Sequence, residues 1–383
     1  MSADFWNSSQ RNKWQSTRFS LLEARRKVLI LERKMIQNGL IKDYPNINYD
    51  YNMRIYLHNL LIKLGRRLNI RQIVLATAEV YLTRFLTRVS LKEINVYLLV
   101  TTCLYVACKI EECPQHIRLI ISEARNIWPE YIPHDVTKLA EFEFYLIEEM
   151  DSYLLLHHPY KSLIQIKNYL EDNYMIYGFK LTEEELQNAW SLINDSYITD
   201  IHLLLPPHII AIAAIYITIV LKKNLSQIRS GSTNEESKSI QGNPRQDSAS
   251  HSIDNKEMNI DDLMDLSTAT TTTTSISKSG VQHNQISPAS GSLLNTTPQK
   301  IIQSPNKPDS NPTTTTNFQD DLNILDEDTI KINKFMNFLS HSHINLDEVV
   351  EAMQDMVNIY VLWNRYNEQA VKKSLQIMLL SRI

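Results

Sequence analysis

Glycine is scarce: seven in 383 residues, under 2% where about 7% is usual. Gly231, Gly242, Gly280 and Gly291 share one Ser/Thr-rich stretch, which leaves Gly39, Gly65 and Gly178 for everything else. Those three cannot write GxGxxG or GxxxxGK[ST]. The dinucleotide fingerprint, the P-loop and the kinase glycine loop are therefore excluded, because each clusters glycines to bring backbone N–H groups onto phosphate. A turn-rich β fold is disfavoured for the same reason, since its tight turns demand positive φ.

Other absences narrow the class further. Cys103, Cys108 and Cys113 form no CxxC pair and no zinc pattern, and an odd count makes no disulfide framework, so a reducing compartment is expected. A net charge of −4 and a pI near 6.3 lack the basic excess of a duplex-binding domain; no direct nucleic-acid contact is expected. The longest apolar run, Ile209 to Leu221, is 13 residues, short of the roughly 20 that span a bilayer. Met1 to Trp14 is polar and carries no signal-peptide core, so a soluble intracellular protein with no membrane partner is expected. His341 and His343 lack further ligands at suitable spacing. His58, His202 and His208 stand isolated within helical patterns, and no Ser-His-Asp order is present. No cofactor, no metal and no catalytic residue is expected.

What is present is helical spacing. Phe19 to Gln37 reads as one helix. Leu57, Leu60, Leu61, Leu64 and Leu68 form a stripe at i, i+3, i+4, i+7 on a second, and Val74, Ala78, Tyr81, Leu82 and Phe85 do so on a third. Ile94 to Ile110 is apolar or small on every side, the mark of a helix surrounded by others. His116 to Trp128 and Asp135 to Met150 complete a set of five. The set then repeats: Tyr160 to Asp172, Thr182 to Asp200 with a Thr182/Glu185 capping box, the all-apolar Pro207 to Leu221, Asp326 to Leu339 and Leu346 to Tyr366. Laying Tyr105 on Tyr216 sets Cys103 on Ala214 and Thr102 on Ala213.

Asn224 to Asn317 contains no Phe, Trp or Tyr and holds six of the 13 prolines. Such a segment buries too little apolar surface to offset chain ordering and reads as a disordered insert; loop-closure entropy grows slowly enough for a bundle to tolerate it. The expected organisation is all-α: an N-terminal arm and helix (1–40), a first five-helix repeat (41–155), the first part of a second (156–223), the insert (224–320), and the second repeat's last helices with a C-terminal tail (321–383).

Several segments carry a family resemblance. Arg71-Gln-Ile-Val-Leu-Ala-Thr-Ala-Glu-Val-Tyr-Leu-Thr-Arg-Phe85 resembles the second helix of a cyclin box, and Cys103-Leu-Tyr-Val-Ala-Cys-Lys-Ile-Glu-Glu112 the end of its third. Phe5-Trp-Asn-Ser-Ser9 with Trp14, Glu143-Phe-Tyr-Leu-Ile-Glu-Glu-Met-Asp151 followed by His158-Pro-Tyr160, and Trp190-Ser-Leu-Ile-Asn-Asp-Ser-Tyr-Ile-Thr-Asp200 followed by Leu205-Pro-Pro207 resemble the cyclin C family. The resemblance implies two tandem cyclin-box repeats, the second interrupted by the insert. It implies a non-catalytic nuclear subunit that activates the cyclin-dependent kinase of the Mediator kinase module, which phosphorylates the RNA polymerase II C-terminal domain and transcription factors. The alternatives are another transcriptional cyclin of the H or T/K type, or a cyclin-fold general transcription factor binding DNA.

Lys109 and Glu143 on spacing alone read as solvated or mutually paired surface charges. The resemblance implies instead that they grip the kinase αC helix, with Ile110, Glu111 and Ile147 beside them. Trp190, Asn194 and Asp195 share one helix face. The bland reading is core and cap; the resemblance implies a groove between the repeats for another Mediator subunit, bordered by Tyr360 and Trp363. The first 34 residues carry eight Lys/Arg against three acidic residues. They read as a solvated helix face, and by resemblance as an arm meeting the kinase, anchored by Phe5, Trp6 and Trp14; the plain reading of those three aromatics is packing against the first bundle. Ser287, Thr297 and Ser304 each precede proline in the insert and are candidate phosphorylation sites.

Overall fold

A computed structural model describes residues 4–236 and 327–380, with side chains over 4–222 and 327–380; these residues fall in one compact unit. Among them every regular element is helical. A π-helical turn, Gln10–Trp14, precedes α1 (Arg18–Gln37), α2 (Tyr51–Arg67), α3 (Gln72–Phe85), α4 (Val96–Ile110), α5 (Ile117–Ile127) and α6 (Thr137–Glu149). Then come α7 (Pro159–Asp172), the single turn α8 (Tyr174–Tyr177), α9 (Glu183–Ser196), the single turn α10 (Ile201–Leu204), α11 (Pro207–Glu236), α12 (Glu327–Ser340), α13 (Leu346–Trp363) and α14 (Glu368–Leu380).

Two central helices organise two bundles. In α4 every residue from Val96 to Cys108 is buried, and α2, α3, α5 and α6 pack around it. Thr101 and Thr102 satisfy their buried hydroxyls by donating to the carbonyls of Tyr97 (2.7 Å) and Leu98 (2.8 Å), so small polar residues can sit inside the helix ring. In α11, Ala211, Ala213 and Ala214 are fully buried, and α7, α9, α12 and α13 surround them. The repeat seen in the sequence is therefore a repeat in space.

Glycine scarcity does not prevent tight helix ends. The chain turns left-handed after α1 at Gly39, after α2 at Asn69, after α4 at Glu112 and after α6 at Asp151. Each time, the next residue's N–H returns to the carbonyl five positions back: Leu40 to Met35, Ile70 to Gly65, Cys113 to Cys108 and Ser152 to Ile147, all at 2.9–3.0 Å. These are Schellman caps, and only one of the four uses glycine. Gly65 is required for closeness instead: a Cβ there would lie 2.4 Å from Leu75 Cδ2, where α3 crosses α2.

Three features differ from the sequence reading. Helix α11 continues through Glu236, past Asn224; once a helix has nucleated on a buried segment, extension adds one hydrogen bond per residue fixed, and no proline intervenes before Pro244. The rest of the insert, with Ser287, Thr297 and Ser304, lies outside the described residues. The stretch expected as a C-terminal tail is helix α14. It returns to the first repeat, burying Val371, Leu375, Met378 and Leu379 in the same core as α2 and α4. Helix α1 buries only Leu21, and two of the six Lys/Arg it carries, expected on a solvated face, pair with other elements: Arg18 with Glu351 and Asp355 of α13, and Arg25 with Asp200 through two contacts of 2.5 and 2.8 Å.

Candidate functional site: a charged docking edge and an inter-repeat groove

The end of α4 and the middle of α6 form one edge. Lys109 Nζ lies 2.6 Å from Glu143 Oε1 and 4.3 Å from the centroid of the Tyr105 ring, one turn back on α4. Partial burial opposes the Lys109 charge, but the contacts with Glu143 and Tyr105 outweigh it and hold its pKa above the usual lysine value. Ile110 and Ile147 are half-buried against the first-repeat core. Glu111 is half-buried and accepts a hydrogen bond from Thr77 Oγ1 at 2.6 Å. The edge is held rigidly: α4 ends at the cap through Glu112 and α6 at the cap through Asp151. The structure thus pairs Lys109 with Glu143, packs Ile110 and Ile147 on the same two helices against one core, and turns Glu111 to α3.

Two further residues of this edge carried no individual signal in the sequence. Tyr105 lies at i−4 to Lys109, a spacing that could have flagged it. Phe144 is 74% exposed beside Glu143, a large apolar face without a neighbour to cover it. Across the edge, Arg71 donates to the sulfur of Cys113.

The second cluster lies where the repeats meet. Trp190 stacks on Tyr160 with centroids 4.5 Å apart, and Tyr160 donates to Asn194 Oδ1 at 2.8 Å. Tyr360 of α13 donates to Asp195 Oδ2 at 2.8 Å. Burial pushes the Asp195 carboxyl up, partly offset by Tyr360 and His58. Trp363 meets the His58 ring edge-on at 6.0 Å, and His58 pairs with Glu79 at 2.6 Å. Trp190, Asn194, Asp195, Tyr360 and Trp363 are all half-buried. They form a polar-rimmed aromatic wall contributed by α7, α9 and α13, with α2 behind it.

The N-terminal arm straps the two repeats together. Gln10 accepts from the His157 N–H (2.6 Å) and donates to the His157 carbonyl (3.2 Å). The Ser16 N–H reaches the Leu203 carbonyl at 2.8 Å, and Gln15 reaches that of Leu204 at 3.0 Å. Trp14, expected as a kinase anchor, is buried in the first-repeat core, with the Arg84 and Arg88 guanidiniums 4.6 and 4.7 Å from its ring. It offers no face to a partner and acts by placing the arm. Arg84 is itself 1% exposed, and burial lowers its pKa to about 9, so the Trp14 ring is one of its few compensating neighbours. Phe5 and Trp6 remain at the surface, Trp6 55% exposed, against His157 and His208 respectively.

Among the described residues no group of three or more His, Cys, Asp or Glu is arranged to hold a metal, and no helix is long and apolar enough to cross a membrane. His341 and His343 do not converge on further ligands. Cys103 and Cys108 are buried, and burial raises their thiol pKa values, that of Cys108 to about 12.

Two bundles, each built round a buried small-residue helix and joined by a short linker, define a cyclin-type regulatory fold. Residues 25–154 match the family described as Cyclin, N-terminal domain. Across the whole chain, the sequence is 70% identical to the RNA polymerase II holoenzyme cyclin-like subunit of Scheffersomyces stipitis, covering 100% of this chain and 99% of that one. It is 65% identical to the protein of the same name in Candida albicans, covering 100% of both. With that of Saccharomyces cerevisiae it shares 39% identity, over 97% of this chain and 96% of the other. The chain belongs to the cyclin C family, the RNA polymerase II holoenzyme cyclin-like subunits. A solved chain in the CAK complex of Chaetomium thermophilum bound to ATP-γ-S is similar at 19% identity and a TM-score of 0.48, covering 61% of this chain and 74% of that one.

Proposed function

We propose that the chain is the non-catalytic regulatory subunit of the Mediator-associated cyclin-dependent kinase and acts in the nucleus. The observation that carries this reading is the Lys109–Glu143 pair, displayed on a rigid, partly apolar edge in a full-length relative of holoenzyme cyclin-like subunits. A protein kinase is active only when its αC helix is swung in, so that the αC glutamate reaches the β3 lysine. A subunit that binds only that conformer raises its population by its differential affinity; moving 1:99 to 99:1 takes about 5.5 kcal/mol. Phe144, Ile110 and Ile147 supply apolar area for that affinity, while Lys109, Glu143 and Glu111 fix the register. The partner kinase then phosphorylates the RNA polymerase II C-terminal domain and transcription factors.

The wall formed by Trp190, Asn194, Asp195 and Tyr360 is the docking site for a further Mediator subunit. It joins aromatic area to hydrogen-bonding groups, a combination suited to an extended segment or a helix. Affinity purification of the intact chain, with identification of the kinase and the larger assembly that accompany it, tests the whole reading. Recovery of a kinase of another class, or of none, rejects it.

A further inference from the structure

Between the docking edge and the second repeat runs an unbroken line of side-chain hydrogen bonds. Thr77 of α3 lies 2.6 Å from Glu111 Oε1 and 2.8 Å from His158 Nε2. His158, the residue capping the start of α7, lies 2.6 Å through Nδ1 from the Tyr197 hydroxyl at the end of α9. Thr77, His158 and Tyr197 are 0, 7 and 3% exposed, so water does not substitute for any link. The Tyr197 ring is fixed in turn by stacking on His202, centroids 3.7 Å apart.

The chemistry gives this line a direction. A carboxylate only accepts, so the single Thr77 hydroxyl hydrogen goes to Glu111. Thr77 Oγ1 then accepts from His158 Nε2. Burial, together with the nearby His157 and Arg84 charges, keeps His158 neutral with its pKa lowered to about 3. A neutral imidazole has one N–H; with that hydrogen on Nε2, Nδ1 is bare and accepts from Tyr197. Every donor points toward Glu111.

We propose that Thr77 and His158 are positioning residues for docking: Tyr197, His158 and Thr77 form a one-directional hydrogen-bond chain that locks the Glu111 carboxylate, so the packing of the second repeat sets the first repeat's grip on its partner. The proposal rests on the kinase-docking reading of the α4 edge. A hydroxyl-to-carboxylate bond limits where the carboxylate can go, and a charged group fixed before binding loses less freedom on binding. Each link crosses a boundary between elements: α4 to α3, α3 to the inter-repeat linker, linker to α9.

Two measurements on the full chain test it. Nitrogen-15 NMR of the free protein is expected to show His158 protonated at Nε2 and bare at Nδ1. The opposite tautomer, or a mixture, overturns the chain of donors. Titration with the cyclin-dependent kinase that co-purifies with the chain is expected to show Thr77→Val binding about tenfold more weakly, the loss of one hydrogen bond to a charged group. Thr77→Ser, which restores the hydroxyl, is expected to bind within about twofold of the wild type. Tyr197→Phe, buried at the end of α9 and off the α4–α6 edge, is expected to bind the kinase a few-fold more weakly. Ile193→Val, which trims the same core without touching the chain, leaves affinity unchanged. In a Glu111→Ala background Thr77→Val adds nothing. Unaltered binding by both Thr77→Val and Tyr197→Phe, or no rescue by Thr77→Ser, overturns the positioning role. A wild-type chain that captures no kinase removes the docking reading itself, which is a different result from intact capture insensitive to Thr77.

Discussion

Lys109 and Glu143 neutralise each other in the chain alone, Nζ to Oε1 at 2.6 Å. The two charges assigned to a kinase are thus already paired, and docking exchanges one set of partners for another. The Lys109 side chain is 41% exposed and that of Glu143 13%; with the ammonium open to solvent the pair contributes about 1 kcal/mol or less to folding. Its value is in arrangement: Glu143 and the Tyr105 ring hold the Lys109 ammonium in place before a partner arrives.

Reversing one charge separates stability from binding. Glu143→Lys sets two ammonium groups side by side at the edge while leaving the core beneath intact. Far-UV circular dichroism is expected to be unchanged and the unfolding free energy to move by no more than about 1 kcal/mol, while kinase capture is lost. Undiminished capture contradicts the assignment of this edge.

The groove is expected to be separable from the edge. Trp190→Ala with Asp195→Ala removes the ring stacked on Tyr160 and the acceptor of Tyr360. The stacked pair is worth about 0.5–1.5 kcal/mol beyond area burial, which a domain of this size withstands. The double variant is expected to retain the kinase and to drop out of the larger assembly on gel filtration of purified complexes. Co-elution with the full assembly contradicts the groove.

The N-terminal strap is a stability element. Trp14→Ala removes a buried ring and leaves two guanidiniums, one of them buried, without their aromatic neighbour. A loss of about 3–5 kcal/mol is expected, read as a lower urea midpoint with unchanged slope. Trp6→Ala, at a surface position, is expected to stay within about 0.5 kcal/mol. Equal midpoints for the two variants contradict the burial argument.

Acid is expected to destabilise the chain through its buried histidines. Burial lowers the His158 pKa to about 3 and depresses that of His202 as well. In the unfolded chain both titrate near the ordinary value of about 6.5. Below that pH the unfolded state gains protons that the folded state refuses, so stability falls; at pH 5 His158 alone accounts for about 2 kcal/mol. His58 works in the opposite sense: burial lowers its pKa, but Glu79 outweighs burial and raises it overall. Its contribution is present below about pH 6.5 and lost as pH rises through its folded value. Burial also holds His157 and His208 below the usual value, and four histidines against one leave a net loss on acidification, checked by thermal melts at pH 7.5 and 5.0. His158→Gln is expected to flatten the dependence, and a midpoint that does not move between these pH values contradicts it.

Much of this architecture was legible because the two central helices are apolar all round, a pattern that only a surrounded helix can sustain. Thr182 and Glu185 marked the start of α9, and the capping box is present there. The mutual pairing of Lys109 and Glu143 is what the plain surface-charge reading offered, although their spacing of 34 residues does not dictate contact; their role toward a kinase came from resemblance alone. Helix α14 went unread although Val371, Leu375, Met378 and Leu379 sit at i, i+4, i+7 and i+8; its partner is the first repeat, hundreds of residues earlier, and helical spacing names no partner. The burial of Trp14 against the first bundle was the plain reading of that aromatic; what spacing could not name were its neighbours Arg84 and Arg88, which arrive from α3 and the turn after it. The hydrogen-bond chain from Tyr197 to Glu111 joins four residues whose sequence separations carry no periodic signal.

The central claim is that this chain switches on a kinase by docking at the Lys109–Glu143 edge. The direct measurement is phosphate transfer by the purified Mediator-type cyclin-dependent kinase to a polymerase C-terminal-domain peptide, with increasing amounts of the chain. The account predicts activity that rises and saturates with the wild-type chain and stays at the kinase-alone level with Glu143→Lys. Activity indifferent to the wild-type chain, or raised equally by Glu143→Lys, would contradict it.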